Sequence, residues 1–282
     1  LIIENGSTDN TLKVLQLLKK KYPCIRILKN KKGVSKARNK GIQESNGKWL
    51  WFVDADDKIN FNIEPLLENL NDVDLIIGNY QSNNSNINII PKSKLIDNDK
   101  LTLWTKVFAA SIIKRNNLKF DDNLKVSEDS EFLFRYLIKC KNIFLLNKTI
   151  YLYSTIGTST MRSADLKSIK YYTQAMNVMS KNISKRNPKM NEAIYKYICL
   201  NFFVSMVRCV FSESNIKWNK KVKIVKKVKN IPVYKNSFKN IKLTAIKENK
   251  KLIPAIFLKY NLFFISSIVF NVKAKINRQK EG

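Results

Sequence analysis

The stretch "KWLWFVDADDKIN", residues 48–60, places six mostly apolar residues directly before three clustered carboxylates, those of Asp54, Asp56 and Asp57. The apolar part is typical of a buried β-strand. Carboxylates this close repel one another, so the cluster costs free energy unless a cation or hydrogen-bond donors lie between them. The chain carries 52 Lys and Arg against 22 Asp and Glu, so its overall composition does not explain an acidic cluster. The stretch therefore indicates a strand that ends at a functional site.

The segments around this stretch alternate between two periodicities. Helical spacing of apolar residues follows each of the first two short apolar runs, and the turns between the segments are short. This alternation predicts an α/β fold with a mostly parallel sheet and helices on both faces. In such sheets ligands bind at the carboxyl ends of the strands, so "ENGSTD" (4–9) and "DADD" (54–57) should face one crevice. The predicted strands are "LIIE" (1–4), "CIRIL" (24–28), "KWLWFV" (48–53) and "DVDLIIGNY" (72–80).

Composition excludes several classes of site. The chain of 282 residues contains no histidine. This excludes Ser-His-Asp and Cys-His nucleophiles, histidine general bases and nearly all zinc sites. The four cysteines show no CxxC spacing, which favours buried thiols in a reducing compartment over a disulfide framework.

Positive charge is concentrated in the second half. Residues 151–282 carry 27 basic and 5 acidic residues, which is typical of a surface that meets a polyanion, although a solvated lysine-rich face has the same composition. The segment 216–230 predicts a basic amphipathic helix. The apolar segment 252–272 contains Pro254, Lys259 and Asn261, which favours a docked core helix or an in-plane membrane helix over a span. No nucleic-acid-binding fold is recognisable, so RNA contact ranks below contact with an anionic membrane surface.

Four motifs, in this order and spacing, resemble the family 2 glycosyltransferases, which have the GT-A fold and use nucleotide-diphospho-sugars. The resemblance covers about residues 1–162 and implies a GT-A domain there, followed by a helical basic region at 163–282. Family members usually begin with a further strand and a "PxYN"-like turn, so the resemblance implies an N-terminally truncated domain. The motifs are "IIENGSTDNT" (2–11), "GVSKARNKGI" (33–42), "WFVDADD" (51–57) and "VSEDSEF" (126–132).

The resemblance assigns donor-binding roles to four residues. Asp54 and Asp56 would hold Mg²⁺ or Mn²⁺, a choice that the absence of histidine also favours, and Asp54 would contact the nucleotide sugar as well. Arg38 would reach the nucleotide or its phosphates. Glu4 stands where the family usually shows Asp-Asp, and its position implies contact with the base of a uridine-linked donor. Asp57 is expected to support the site or to cap a helix.

The acceptor side has two candidate bases. Glu128 and Asp129 open a predicted amphipathic helix, where acidic residues also stabilise the helix dipole without any chemical role. The resemblance favours a general base, with Asp129 as the first candidate and Glu128 as the alternative. Trp104 could line the acceptor side by stacking on a sugar or could belong to the core.

These expectations combine into one function. The chain should transfer a sugar from a nucleotide-diphospho-sugar to a hydroxyl of a glycan or lipid-linked acceptor, in a metal-dependent, inverting reaction of surface polysaccharide biosynthesis. It should work in the cytoplasm, peripherally on the inner face of the cell membrane. The alternatives are a nucleotidyltransferase, which also joins an α/β sheet to acidic metal ligands, and an inert basic module that binds RNA or lipid.

Overall fold

The computed structural model describes residues 1–68, 70–82, 85–87, 101–154, 165–183 and 188–281. These residues form two compact units. The first unit contains the described residues up to 154 and has an α/β fold. The second contains those from 165 onwards and is helical.

The first unit consists of short strands and short helices, and local sequence signals explain where two of the helices begin. Helix α1 (Thr11–Lys21) follows Asp9, whose carboxylate accepts the Thr11 N–H at 3.0 Å. Helix α2 (Val34–Glu44) follows Gly33, which has a φ of +148° that other residues rarely adopt. The remaining helices are Glu64–Glu68, Ala110–Arg115 and Glu128–Lys139. The strands are β1 (Ile2–Glu4), β2 (Ile27–Lys29), β3 (Trp49–Trp51), β4 (Lys58–Ile59), β5 (Leu75–Ser82), β6 (Ser85–Ile87), β7 (Lys106–Ala109) and β8 (Ile143–Tyr153).

The strands form a small parallel sheet and a larger mixed one. β1 and β2 pair in parallel, and the larger sheet has the order β3-β7-β5-β8-β4, with β6 paired to β5. Within the larger sheet β5 and β8 are parallel, whereas β7 is antiparallel to both β3 and β5, β4 is antiparallel to β8, and β6 to β5. The α/β fold class is confirmed, but the prediction of a mostly parallel sheet is wrong. The four-residue strand β7 enters between β3 and β5 in the opposite direction, and the short strands β4 and β6 add one antiparallel pairing each.

An aromatic cluster fixes the end of β3. Phe52 makes edge-to-face contacts with Phe108, Phe120 and Phe132, with ring centroids 5.4–6.1 Å apart. Phe120 and Phe132 stack on each other at 4.1 Å. Each such pair contributes about 0.5–1.5 kcal/mol beyond its buried area. The cluster therefore anchors the residue two positions before Asp54 to the Glu128–Lys139 helix.

The second unit is built from helices around a buried central one. The helix Pro188–Met206 continues as a π-helical turn to Phe211. This 24-residue segment is long and apolar enough to cross a bilayer, with a mean hydropathy of 1.4, but 78% of the apolar window is buried within the structure. The other long helices are Ile169–Ser180, Trp218–Lys229, Pro232–Asn240 and Phe263–Glu281.

The apolar segment 252–272 does not form one continuous helix. It contains the helix Ile253–Lys259 and the beginning of Phe263–Glu281, and Asn261, with φ +60°, separates them. Lys229 donates to the Asn261 side chain at 2.7 Å, which holds this break in place. The expected interruption at Asn261 is confirmed, whereas Pro254 lies in the first turn of its helix, where proline is tolerated.

The cysteines agree with the expected buried thiols at three of four positions. Cys140, Cys199 and Cys209 are buried, while Cys24 is exposed, so the expectation is wrong for Cys24. Cys24 lies in the connection between α1 and β2, where side chains face solvent.

Candidate functional site

The side chain of Arg38 joins three of the four sequence motifs. Its Nη1 donates to the Asp129 carboxylate and lies 3.3 Å from Oε1 of Glu128, while its Nη2 lies 3.5 Å from Oδ1 of Asp54. The Arg38 side chain is 14% exposed. One guanidinium thus brings together three carboxylates that the sequence predicted as donor-binding or catalytic groups.

Contacts beside Arg38 hold its guanidinium in position. The neighbouring side chain, Asn39, donates to the carbonyl of Phe120 at 2.9 Å and accepts the Phe120 N–H at 2.7 Å. The Arg38 guanidinium lies over the Phe120 ring, 5.4 Å from its centroid. Helix α2 is therefore fixed to the segment before the Glu128–Lys139 helix, and Arg38 projects from this fixed helix toward the carboxylates.

The turn that carries the aspartates is attached to the end of β8. The Tyr151 hydroxyl donates to Asp57 at 2.6 Å and accepts the Asp54 N–H at 3.1 Å. The second oxygen of the Asp57 carboxylate accepts the Ser154 N–H at 2.7 Å. Asp57 therefore supports the turn, as one of its two expected roles stated, and does not cap a helix. Sequence reasoning missed Tyr151, because nothing in "IYLY" distinguishes it from another strand tyrosine.

Burial makes the clustered carboxyls unusually basic. Burial raises the pKa of Asp54, the Arg38 charge opposes this rise, and the charges of Asp57 and Asp56 add to it. Burial likewise raises the pKa of Asp129 to about 7, with Arg38 opposing and Glu128 adding to the rise. A carboxyl with this pKa can take up a proton near neutral pH, which is the property a general base needs.

A buried lysine, Lys106, lies close enough to Asp129 to interact with its charge, and no sequence pattern predicts this. Lys106 in β7 is 2% exposed, and its ammonium donates to the carbonyl of Thr102 at 2.5 Å and to the Thr105 hydroxyl at 3.2 Å. Burial lowers its pKa to about 7, and the negative charge of Asp129 opposes this shift. Lys106 and Asp129 therefore interact electrostatically within the same buried region.

Glu4 and Asn5 organise the loop that follows β1. The buried Glu4 carboxylate accepts the N–H of Ser7, which lowers the pKa of Glu4. The Asn5 side chain accepts the Gly33 N–H at 2.9 Å. Glu4 therefore shapes the loop itself, and Asn5 holds the first motif beside the start of α2.

Trp104 packs within an aromatic group. Its ring stacks on Tyr151 at 5.0 Å and on Tyr153 at 5.4 Å, and Tyr80 approaches it edge-on at 4.5 Å. Its main-chain carbonyl also accepts the Trp51 indole N–H at 2.7 Å. These contacts favour the core role of Trp104 over stacking on a sugar.

The donor set fits a hard divalent cation that is shared with a phosphate ligand. Among the described residues, no three His, Cys, Asp or Glu side chains come together as a metal cage. Mg²⁺ and Mn²⁺ need only one or two protein carboxylates when phosphate oxygens and water complete the shell. Asp54 and Asp56, two residues apart in the turn after β3, are the two carboxylates that could form such a pair.

Comparisons with known proteins bear on the family and the fold. Residues 1–138 match the family described as glycosyl transferase family 2. The poly(ribitol-phosphate) beta-N-acetylglucosaminyltransferase TarP of Staphylococcus aureus is 26% identical over 287 residues, which cover 89% of this chain and 86% of TarP. The cholesterol galactosyltransferase of Borreliella burgdorferi is 25% identical over 259 residues, which cover 80% of this chain and 70% of that enzyme.

A solved structure shows the same fold. The crystal structure of S. aureus TarS in complex with UDP-GlcNAc superposes with a TM-score of 0.63 and 17% identity, covering 99% of this chain and 82% of that one. The predicted fold and family are therefore confirmed, and glycosyl transfer is favoured over the nucleotidyltransferase and the inert binding module. The chain is a glycosyltransferase with a GT-A fold, and its first 138 residues match glycosyl transferase family 2.

Proposed function

We propose that the chain transfers a sugar from a uridine-linked nucleotide-diphospho-sugar to a hydroxyl of a surface glycan or lipid-linked acceptor, with inversion at the anomeric carbon. The observation that carries this proposal is the contact of Arg38 with Asp54, Glu128 and Asp129. Through this contact, the proposed donor-binding carboxylate and the proposed base lie around one guanidinium group. Inverting transfer needs one general base and a stabilised leaving group, and this cluster offers groups for both.

Asp129 acts as the base in this proposal. Its raised pKa allows it to accept the proton of the acceptor hydroxyl near neutral pH. Arg38 holds Asp129 in place before substrate binds, and the same guanidinium suits bidentate contact with a diphosphate. Glu128, which also contacts Arg38, is the alternative base. If the donor diphosphate draws the Arg38 guanidinium away, the negative charge of Asp129 loses its positive partner, and Asp129 becomes more basic.

Asp54 and Asp56 hold the cofactor in this proposal. A bound Mg²⁺ or Mn²⁺ would neutralise the charge that develops on the leaving diphosphate. Tyr151 and Asp57 keep the turn in the shape that presents both carboxylates. The proposed metal, donor and base residues also support our division into domains. The proposed GT-A domain at 1–162 contains all of these residues, and the basic region at 163–282 contains none.

The donor and acceptor are proposed from the relatives. TarS has been crystallised with UDP and with UDP-GlcNAc, which supports a uridine-linked donor. We place Glu4 near the base through the loop that it organises, since its own carboxylate already accepts the Ser7 N–H. TarP and a Bacillus spizizenii relative carry names that specify poly(ribitol-phosphate), so we propose a phosphodiester-linked polyol polymer as the acceptor.

The second unit supports a peripheral membrane location on the cytoplasmic face. The helix Phe263–Glu281 exposes an apolar stripe along one face, made of Phe264, Ile268, Val272 and Ile276, of which Phe264 is 59% exposed. Lys273 and Lys275 are exposed on the same helix, and further exposed lysines lie on Trp218–Lys229. An apolar stripe between cationic side chains is typical of helices that lie in the plane of an anionic membrane.

The test is a transfer assay with a panel of nucleotide sugars. We expect diphosphate release from uridine-linked donors only when poly(ribitol phosphate) or a lipid-linked glycan is present, and NMR of the product should show an inverted anomeric centre. Preference for guanosine- or thymidine-linked donors would refute the donor assignment. Retention of configuration would refute the role of Asp129 as the base of a direct displacement.

A further inference from the structure

A basic cleft in the first unit remains unexplained by the transfer site. It is open to solvent and has a volume of about 1160 Å³. Lys36, Lys40 and Gln43 of α2 line it at the spacing of one helix face. Arg38 is two residues from both lysines, about 200° around the helix, and is not among the residues that line the cleft. One helix thus presents the transfer site on one side and this cleft on the other.

The cleft has a strongly positive lining. Six lysines line it against two carboxylates, those of Glu44 and Asp122. Glu44 lies 3.8 Å from Arg26, and Asp122 accepts a hydrogen bond from the Asn39 amide at 3.0 Å. Each carboxylate therefore has a partner other than the lysines. Cations that line a concave surface reinforce one another's field and attract an anion. The six lysines are Lys29, Lys31, Lys36, Lys40, Lys114 and Lys119.

The cleft rests on a rigid base. Ile42, Ile113 and Leu118 line it and are buried. Lys114 donates to the Ser45 carbonyl at 2.9 Å, which ties the Ala110–Arg115 helix to the end of α2. Lys36 and Lys40 project from α2 and Lys114 from the Ala110–Arg115 helix, and this bond joins the two helices.

We propose that this cleft, the lysine cleft, binds a segment of the phosphodiester-linked polyol polymer away from the transfer site. This inference rests on the proposed acceptor and adds a second binding site for it. Lysine ammonium groups pair well with the single negative charge of each phosphodiester. The amides of Gln43 and Asn117, which also line the cleft, can bond to polyol hydroxyls.

The lining favours this polymer over other polyanions. Among the described residues, no aromatic side chain lines the cleft, so these residues offer no platform on which nucleic-acid bases could stack. A bilayer surface is broad and flat and cannot follow a concave cleft, whereas a flexible polymer chain can. A polymer bound here keeps its other segments at high local concentration near the same domain, so the cleft should act on long acceptors.

The test compares two triple variants of the full chain with equal loss of charge. Lys36→Gln/Lys40→Gln/Lys119→Gln removes three cations of the lysine cleft. Lys13→Gln/Lys19→Gln/Lys20→Gln removes three exposed cations of α1, outside it. Fluorescently labelled poly(ribitol phosphate) is titrated against each, and UDP binding checks the donor site. We expect about a tenfold or greater loss of polymer affinity in the cleft variant, little loss in the α1 variant, and unchanged UDP affinity in both.

Other outcomes are equally decisive. Equal weakening in both variants would overturn the inference, because a general positive field would then explain binding, and so would undiminished binding in the cleft variant. Displacement of the polymer by single-stranded RNA at lower concentrations than by unlabelled polymer would overturn it in favour of a nucleic-acid surface. Polymer binding that depends on the cleft without any sugar transfer would support the cleft and refute the proposed acceptor function, so the two can fail separately.

Discussion

Among single residues, the proposed mechanism depends most on the contact between Arg38 and Asp129. Three carboxylates around one partly buried guanidinium leave negative charge in excess, and burial then raises the pKa values of Asp54 and Asp129. The sequence predicted each of these residues from its motif. Their mutual contact could not be predicted, because Arg38 and Asp129 are 91 positions apart and only the folded sheet brings them together.

Replacing the proposed base should separate chemistry from binding. Asp129→Asn should reduce transfer by about 10²-fold or more, because a general base contributes about that much, and should leave UDP affinity nearly unchanged. Glu128→Gln is the matched control, and it should retain most activity. A nearly wild-type rate for Asp129→Asn together with an inactive Glu128→Gln would move the base by one residue.

The pH dependence of transfer should report the same carboxyl. The basic form of Asp129 becomes populated as the pH rises through its pKa of about 7. We therefore expect kcat/KM to rise about tenfold per pH unit below this value and to level off above it. The residual activity of Asp129→Asn should not show this rise of kcat/KM with pH. If the rise is unchanged in Asp129→Asn, another group causes it.

Removing Arg38 should destabilise the protein more at high pH than at low pH. Without the guanidinium, the pKa of Asp129 rises further above its unfolded value, so the native state holds a proton that the unfolded state releases. Stability then falls as the pH rises through this range. We expect Arg38→Met to lose about 2 kcal/mol at pH 8 and much less at pH 5 in denaturant titrations. Arg26→Met, at an exposed pair with Glu44, should change little at either pH.

At the scale of elements, the sequence predicted some segments well and others not at all. The apolar run before Asp54 and the periodic segment after Ser127 correspond to β3 and to the helix Glu128–Lys139. The strand β7 was missed because its four residues carry Lys106, whose burial depends on the carbonyl of Thr102 and not on any sequence pattern. An apolar run as short as Val107–Ala109 does not distinguish a strand from the start of the following helix, so tertiary contacts define β7.

Tyr151 connects β8 to the turn that we propose as the metal site. Tyr151→Phe removes the hydroxyl that donates to Asp57 and accepts the Asp54 N–H. We therefore expect the Mn²⁺-dependent UDP affinity to fall about five- to tenfold. Tyr153→Phe removes a hydroxyl two residues along the same strand and should leave this affinity unchanged. Equal affinities in the two variants would mean that the turn holds its shape without Tyr151.

At the scale of the whole molecule, charge and apolar surface are distributed unevenly. The sequence predicted a basic helical second half, and the fold confirms its helices. The sequence did not predict that Lys221 and Lys229 are buried. The Lys221 ammonium donates to the carbonyl of Phe211 at 3.3 Å. Lysines with a long apolar stem can lie against a core, and the periodicity of a lysine-rich helix does not identify which ones do.

Vesicle sedimentation should test the membrane assignment. We expect binding to anionic vesicles that falls steeply with salt, since exposed charges are screened, and little binding to neutral lipid. Phe264→Ser/Ile268→Ser should weaken binding at every salt concentration because it interrupts the apolar stripe. Val14→Ser/Leu17→Ser, which removes exposed apolar groups of α1, is the control. Equal retention by all three proteins would exclude the stripe as the membrane contact.

Calorimetric titration of UDP into the protein with Mn²⁺ tests the proposed metal site directly. We expect binding that disappears on chelation of the metal and weakens about tenfold or more in Asp54→Asn and in Asp56→Asn, because in our proposal these carboxylates hold the cation that meets the diphosphate. Glu68→Gln, on a nearby helix outside the turn, should bind UDP as the wild type does. UDP binding that is undiminished by chelation and by both aspartate replacements would contradict the assignment of the DADD turn.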